Sequence, residues 1–279
     1  MEQYKEIEKS IMTTYRPKLW TKFIKAIKEY KLIQEHDKIC VCISGGKDSM
    51  VMAKLFQELH RHSEFEFSLE FLVMNPGYNP ENLQRIKDNL QILNIPAQIF
   101  DTNIFEVANS TEKNPCYLCA RMRRGHLYDL AKKLGCNKIA LGHHFDDVIE
   151  TTLMNMLNSG SYQTMLPKLH SDNFEGMELI RPMYLIREKD IIAFSNANRL
   201  EFIRCACKFT ENIAKNEVED ANSQRYQTKI LIQELAKKNA NVENNIFKSA
   251  TNVNMDMILG YKKDGVKHSF LEIYDNKNN

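Results

Sequence analysis

Apolar positions recur at helical spacing through the first 34 residues, with Phe23, Ile24, Ile27 and Tyr30 falling on one face. The pattern then changes. Lys38-Ile39-Cys40-Val41-Cys42-Ile43 is a short apolar run that ends at a Ser-Gly-Gly turn. Met50, Val51, Met52, Leu55, Phe56 and Leu59 return to a helical period directly after it. The order is strand, tight loop, helix, and it repeats downstream. A strand over 67–74 ends at Asn75-Pro76-Gly77, and Asn79 followed by Pro80 opens a helix to about residue 93. A short strand over 97–100 precedes a helix over 116–134 that Gly135 stops. A strand over 138–141 leads to a helix over 146–157, ending near Gly160, and a fifth strand over 179–185 leads to a helix over 188–198.

Strands separated by helices of this length require right-handed crossovers, so the pattern predicts an α/β fold: a doubly wound, mainly parallel sheet covered on both faces. Ligands in such sheets sit beyond the carboxyl ends of the strands. Ser44 and Gly142 each directly follow a predicted strand and belong on that edge. Past residue 200 the strand pattern thins to a helical stretch over 212–238 and a hairpin around Asp264-Gly265. The chain divides into a helical N-terminal segment (1–34), a nucleotide-binding domain (35–210) and a helical C-terminal appendage (211–279).

Composition narrows the classes. With 43% hydrophobic residues in 279, the chain can bury a substantial core. The net charge of +2 does not exclude nucleic acid, because basic residues can gather on one face. No stretch approaches the roughly 18 apolar residues that cross a bilayer, and the charged start, Met1 to Glu6, is no signal peptide. The expectation is a cytoplasmic protein without a membrane partner. Its seven cysteines, an odd number, point to metal binding or catalysis before disulfides.

Ser44-Gly45-Gly46-Lys47-Asp48-Ser49 carries the first candidate chemistry. Gly45 and Gly46 let the backbone approach an anion, and the following helix offers unpaired N–H groups and the positive end of its dipole. Lys47 can reach a phosphate, Ser44 and Ser49 can donate hydroxyl hydrogen bonds, and Asp48 can help hold Mg²⁺ or cap the helix. The spacing is not that of a Walker A loop. A plain Gly-Gly turn with a polar cap is the simpler alternative; the complete string between strand and helix outweighs it. A second string is Ala140-Leu141-Gly142-His143-His144-Phe145-Asp146-Asp147. Its acids could complement a helix dipole or bind metal and phosphate-bound Mg²⁺.

Cys116 and Cys119 lie three apart on one face of a helix start, which is ligand geometry, and Cys205-Ala206-Cys207 follows much later. Cys40, Cys42 and Cys136 sit in or beside apolar runs and read as core. The spaced cysteines could hold zinc, form a redox pair or hold an iron–sulfur cluster, and three thiolates on a cubane leave one iron open. Arg121, Arg123 and Arg124 form either a solvated helix face or a phosphate clamp, with Arg123 the candidate. Lys132, Lys133, Arg187, Lys189, Arg204 and Lys208 could extend a basic surface. Met74, ending a strand, is a candidate contact for adenine.

The string at 44–49 resembles the defining motif of the PP-loop ATP pyrophosphatase superfamily, and Gly142 to Asp147 resembles its Gly-His-x-x-Asp-Asp element. Within that superfamily, residues 115–125, 139–147, 155–169 and Ile180-Arg181-Pro182 leading to 187–190 are similar to the tRNA 2-thiocytidine synthetase family. The resemblance spans residues 20–210 and implies an adenine nucleotide alpha-hydrolase-like fold, ATP, Mg²⁺ and a 4Fe-4S cluster held by three cysteines. It implies adenylation of a tRNA base carbonyl, that of cytidine, then sulfur transfer with release of AMP and pyrophosphate. It also implies a sulfur donor system such as a cysteine desulfurase, and it is compatible with a homodimer. Carried onto this chain, Ser44 to Ser49, Met74, Gly142 and His143 bind nucleotide, while Asp48, Arg123, Asp146 and Asp147 serve the chemistry. Cys116 and Cys119 ligate the cluster with Cys205 or Cys207. The family has a CxxC where this chain has Cys205-Ala206-Cys207, and the preceding Phe202-Ile203-Arg204 favours Cys205. Two other functions fit the same motifs: a PP-loop thiolase or ligase for a small molecule, and a nucleotide-binding iron–sulfur sensor without turnover. Asp48 and Asp146-Asp147 argue against the sensor.

Overall fold

Strand β1 (Lys38–Ile43) is buried on both faces: Ile39, Val41 and Ile43 join one apolar cluster, Cys40 and Cys42 another. With side chains alternating at period two, two covered faces require the continuous apolar run seen in the sequence. The computed structural model describes residues 2–109, 115–203 and 223–276. Strands β2 (Ser68–Asn75), β3 (Ala97–Asp101), β4 (Lys138–Ala140), β5 (Lys168–His170) and β6 (Glu178–Ile180) join β1 in the order β3-β2-β1-β4-β6-β5. Every pairing is parallel except that of β5 with β6.

Helices α1 (Gln3–Met12), α2 (Trp20–Glu29), α3 (Lys47–His62), α4 (Pro80–Ile92) and α8 (Glu188–Ala197) bring Ile7, Phe23, Met50, Ile86 and Ile191 to the first cluster. Helices α5 (Ile104–Asn109) and α6 (Pro115–Lys133) cover the opposite face through Ile104, Tyr128 and Ala131. Helix α7 (Phe145–Ser159) follows β4. The sheet is therefore doubly wound, as the alternation predicted. Asn79 caps α4 by accepting from the Asn82 N–H at 2.7 Å, with Pro80 opening the helix. Cys40, Cys42 and Cys136 are buried in the second cluster.

The helical N-terminal segment consists of two helices, because residues 13–19 form turns around Pro17, which has no N–H to give. Two local expectations change. The fifth predicted strand, 179–185, is paired only over Glu178–Ile180. Past it, the Arg181 N–H makes one last in-register bond, to the Pro167 carbonyl opposite it, but neither Pro167 nor Pro182 has an N–H to give, and turns close at Tyr184 and Ile186. The antiparallel β5 was not expected, since three half-exposed residues carry no periodic signal.

Beyond residue 222 lie α9 (Gln224–Lys238), α10 (Val242–Ser249), a single 3₁₀ turn (Met255–Met257), the hairpin β7 (Gly260–Lys263) and β8 (Val266–Ser269), and α11 (Leu271–Asn276). The expected hairpin turns at Asp264 and Gly265, both with positive φ (49° and 82°), as a tight primed turn demands. Of the helical stretch expected over 212–238, the part through 222 lies outside the described residues. Helices α9 and α10 pack on α7, where Ile232 meets Phe145 and Ile149, and Phe247 stacks on Phe145 at 4.6 Å. Among the described residues no helix is long and apolar enough to cross a membrane. The chain leaves β1 for β2 on one side and later enters β4 on the other, so the sheet's direction of winding reverses between β1 and β4. A crevice opens there at the carboxyl ends.

Candidate active site

The loop between β1 and α3 is shaped by its own hydroxyls. Ser49 Oγ donates to the Gly46 carbonyl at 3.0 Å and accepts from the Ser44 N–H at 3.1 Å. Having spent its proton on Gly46, it must accept the Ser44 hydroxyl too, also at 3.1 Å. Ser49 is thus the internal staple of the loop. Tyr78 donates its hydroxyl to the Ser44 carbonyl at 3.0 Å, which fixes the loop's outer edge. Gly45 has φ +83°, and a Cβ there would stand 2.6 Å from Ile86 Cγ1 and 2.8 Å from Ile203 Cδ1. Only glycine fits. Gly46 is the N-cap of α3, so the first N–H groups of that helix stay open to an anion.

Gly142, after β4, backs the loop from the neighbouring strand. A Cβ on it would lie 3.1 Å from the Ser49 nitrogen and 3.2 Å from the Asp48 carbonyl carbon. The two motifs thus meet backbone to backbone, although 93 residues separate Ser49 from Gly142. His144 caps α7 in a reciprocal box: its Nδ1 accepts from the Asp147 N–H, and its own N–H donates to Asp147 Oδ2 at 2.9 Å. An accepting Nδ1 leaves the proton on Nε2, which faces Asp48 Oδ1 at 3.8 Å.

A cavity of about 390 Å³ opens over this junction. Of the residues expected to act, Ser44, Asp48, Ser49, Met74, Arg123, Gly142, His143 and Asp147 all line it. Asp146 does not. It accepts from Arg187 at 3.2 Å and from the Glu188 N–H at 2.7 Å, and so ties the start of α8 to the start of α7. Lys47 points beside the cavity, held between Asp48 Oδ2 (3.1 Å) and Glu188 Oε1 (3.0 Å). Burial works against its ammonium, but Asp48 and Glu188 outweigh burial and raise its pKa. Asp48 Oδ1 is buried and has no hydrogen-bond partner. Burial raises the Asp48 carboxyl, partly offset by His144 and Lys47. A lone buried carboxylate oxygen beside a phosphate loop fits Mg²⁺, which takes one or two carboxylates and completes its shell with phosphate and water. His143 is pushed down to about 4, chiefly by burial, so it is neutral at physiological pH.

Helix α6 forms the opposite wall through Ala120, Arg123, Arg124 and Leu127, one stripe at helical spacing. The arginine expectation therefore needs widening, since Arg124 faces the cavity beside Arg123 while Arg121 is exposed elsewhere. Cys119 is half-buried against the second apolar cluster and in no disulfide, and position 116 stands one turn before Ala120 at the start of α6. Cys205 and Cys207 lie outside the described residues. Among the described residues no three or more His, Cys, Asp or Glu side chains gather as a metal site.

Four further residues surround the site; Glu188 lies in the 187–190 stretch already singled out, and no motif announces the other three. Glu188 takes Lys47 on one oxygen and Lys229 of α9 on the other, at 2.5 Å. Burial alone would raise its carboxyl, but Lys229 and Lys47 hold it at about 2. Arg225, also on α9, reaches Asp147 Oδ1 at 2.8 Å and Glu150 Oε2 at 3.3 Å. Burial would raise the Asp147 carboxyl too, yet His144, His143 and Arg225 keep it below the usual range. Glu150, by contrast, is pushed up to about 7 by burial, against Arg225. Helical phase was the one available signal: Glu150 falls one turn after Asp147, and Arg225 one turn before Lys229.

Comparison with known proteins matches this arrangement. The PP-loop domain family model covers residues 16–241. A tRNA-cytidine(32) 2-sulfurtransferase of Citrifermentans bemidjiense is 35% identical over 234 residues, 82% of this chain and 88% of that protein. One from Shewanella sediminis is 37% identical over 228 residues, 78% of this chain and 70% of that protein. Among solved structures, the U34-tRNA thiolase NcsA from Methanococcus maripaludis with its [4Fe-4S] cluster superposes with a TM-score of 0.64 at 21% identity. The match covers 83% of this chain and 76% of that one, and it shows a shared fold. With its Ser-Gly-Gly loop and Gly-His-His-Phe-Asp-Asp element joined at one crevice, this chain belongs to the PP-loop family, among the tRNA-cytidine(32) 2-sulfurtransferases.

Proposed function

We propose that this protein is an ATP-dependent tRNA sulfurtransferase that adenylates the C2 carbonyl of a cytidine, position 32 as in its relatives' name, and replaces that oxygen with sulfur. Pyrophosphate leaves on adenylation and AMP on sulfur transfer. The observation that carries this reading is the cavity itself, in which the phosphate loop and the arginine-bearing wall of α6 face each other.

Each side chain has a task in that reaction. The loop N–H groups and the start of α3 hold the ATP phosphates, and Lys47 turns from its carboxylates toward them as they arrive. Asp48 Oδ1, the orphaned acceptor, holds Mg²⁺, with Asp147 on the adjacent wall. Neutral His143 lines the cavity without adding charge, and buried Met74 offers backbone and thioether to the adenine. Arg123 and Arg124 face the nucleotide from α6 and suit either its α-phosphate or the RNA backbone. A 4Fe-4S cluster held by Cys116, Cys119 and Cys205 or Cys207 would supply an iron able to carry the sulfur. Positions 116 and 119 of α6 precede the arginine wall by one to two turns, which supports cluster chemistry close to the cavity. A sulfur donor system such as a cysteine desulfurase and a cytoplasmic setting complete the reading.

The test uses anaerobically purified protein with ATP, a sulfide source and bulk tRNA. AMP and pyrophosphate are expected to form only with tRNA, nucleoside mass spectrometry to find 2-thiocytidine, and Cys116→Ala to bleach the brown protein and abolish thiolation. Colourless protein carrying one zinc, or ATP turnover indifferent to tRNA with no thiolated base, would refute the assignment.

A further inference from the structure

The ionic and imidazole side chains around the phosphate loop form a closed circuit, and α9 is the element that closes it. From Lys229 the circuit runs to Glu188 (2.5 Å), Lys47 (3.0 Å), Asp48 (3.1 Å), His144 (3.8 Å), Asp147 and back to Arg225 (2.8 Å). Arg225 and Lys229 stand four residues apart, on the same face as the buried Thr228 and Ile232 that seat α9 on α7. Both cations are thus directed inward by the helix's docking face. Arg225 also sits in the first turn of α9, which contains no acid, where a cation opposes the helix dipole. Local preference is violated there for the sake of a distant carboxylate, the kind of conflict that marks functional positions.

We propose that the C-terminal helix α9 is part of the nucleotide site, with Lys229 and Arg225 acting as positioning residues for Lys47 and Asp147. This rests on the reading that the loop binds ATP. Lys229 acts through Glu188. That carboxylate is half-buried, and its two oxygens are shared between two lysines, so its pull on Lys47 is divided. Lys47 can then leave for a phosphate while Glu188 keeps a counter-ion. Without Lys229 the whole charge of Glu188 would rest on Lys47 and hold it back. Arg225 acts through Asp147, whose other oxygen is already committed to the His144 cap, and it keeps Asp147 and nearby Glu150 from repelling each other. The region after residue 210 thereby gains a role in ATP recognition.

The test is titration of full-length holoprotein with a non-hydrolysable ATP analogue. Lys229→Met and Arg225→Met are expected to weaken binding about tenfold or more, the scale of a lost charge-assisted hydrogen bond. Lys229→Arg should recover most of the affinity, and Lys237→Met, which removes an exposed charge from the same helix, should leave it unchanged. In a Glu188→Gln background Lys229→Met should add little, because the lysine acts through that carboxylate. The unfolding midpoint without nucleotide should stay near that of the native protein. Native affinity in both Met variants would overturn the proposal, as would losses that merely track a lowered midpoint and resist Lys229→Arg. Should the Met variants not fold, Lys229→Arg and Glu188→Gln supply the same comparison. Native protein that binds no nucleotide would sink the functional reading itself. Native binding with silent variants would sink only this inference, and an α9-dependent affinity without tRNA thiolation would sink only the tRNA assignment.

Discussion

Replacing Gly45 by alanine perturbs the phosphate loop in two separable ways. The backbone has φ +83°, a conformation that costs a residue with a Cβ about 1–2 kcal/mol. The added methyl would also stand 2.6 Å from Ile86 Cγ1, 2.8 Å from Ile86 Cδ1 and 2.8 Å from Ile203 Cδ1, and overpacking of that kind typically costs about 1–3 kcal/mol. The sum, about 2–5 kcal/mol, is large against the stability of a single domain. Denaturant unfolding of Gly45→Ala, Ile86→Ala and the double variant separates the parts. Ile86→Ala alone should cost about 2–5 kcal/mol, because Ile86 is fully buried. In the double variant the new methyl meets a cavity on the Ile86 side while the Ile203 contact remains, so the effects should fall short of additivity by about 1–2 kcal/mol, the Ile86 share of the steric part. The backbone part should persist as weakened ATP binding in both variants that contain the Gly45→Ala change, since the loop must shift to relieve it. Additive stabilities with unchanged nucleotide affinity would refute both halves of the reasoning.

Asp48→Asn should lower pyrophosphate release by about a hundredfold or more, because it removes the negative charge at the buried, unpartnered oxygen while Lys47 keeps Glu188; turnover within about tenfold of native would exclude a direct role. Glu150 gives a pH signature. Its carboxyl is raised to about 7 in the folded protein, so folding favours the protonated form, and that stabilisation fades as pH rises through about 7. Glu150→Gln cannot ionise and should gain stability over the native protein between about pH 5 and pH 8, with little difference below the ordinary carboxylate range. Parallel stability curves across that window would show that Arg225 already holds Glu150 ionised.

Much of the fold was legible along the chain because its determinants are local. An apolar run, a Gly-Gly turn and a helical period lie within a few residues of one another at 38–62, and β1, the loop and α3 follow from them. The Asn79-Pro80 start of α4, the Gly135 stop after α6 and the Asp264-Gly265 hairpin are equally short-range. So is the prediction that Ser44 and Gly142 share an edge, since both end parallel strands. What fails is either too short to show a period, as with β5, or set by partners outside the segment, as with β6. There Arg181 makes the last ladder bond, to Pro167 on β5's side, and Pro182 has no N–H with which to continue. Asp146 and Asp147 show the same limit within a single motif. As neighbours on a helix they point about 100° apart, and only the packing of α8 and α9 sends Asp146 to Arg187 and leaves Asp147 facing the cavity. Arg225 and Asp147 are 78 positions apart, and no spacing rule connects them. By itself, then, the sequence determined the elements, the phosphate loop and the chemistry that loop serves, because those depend on residues within a turn or two. The tertiary structure decided which carboxylate faces the nucleotide and which helix closes the side-chain circuit around the loop, because those depend on side chains that meet only when distant helices dock on α7.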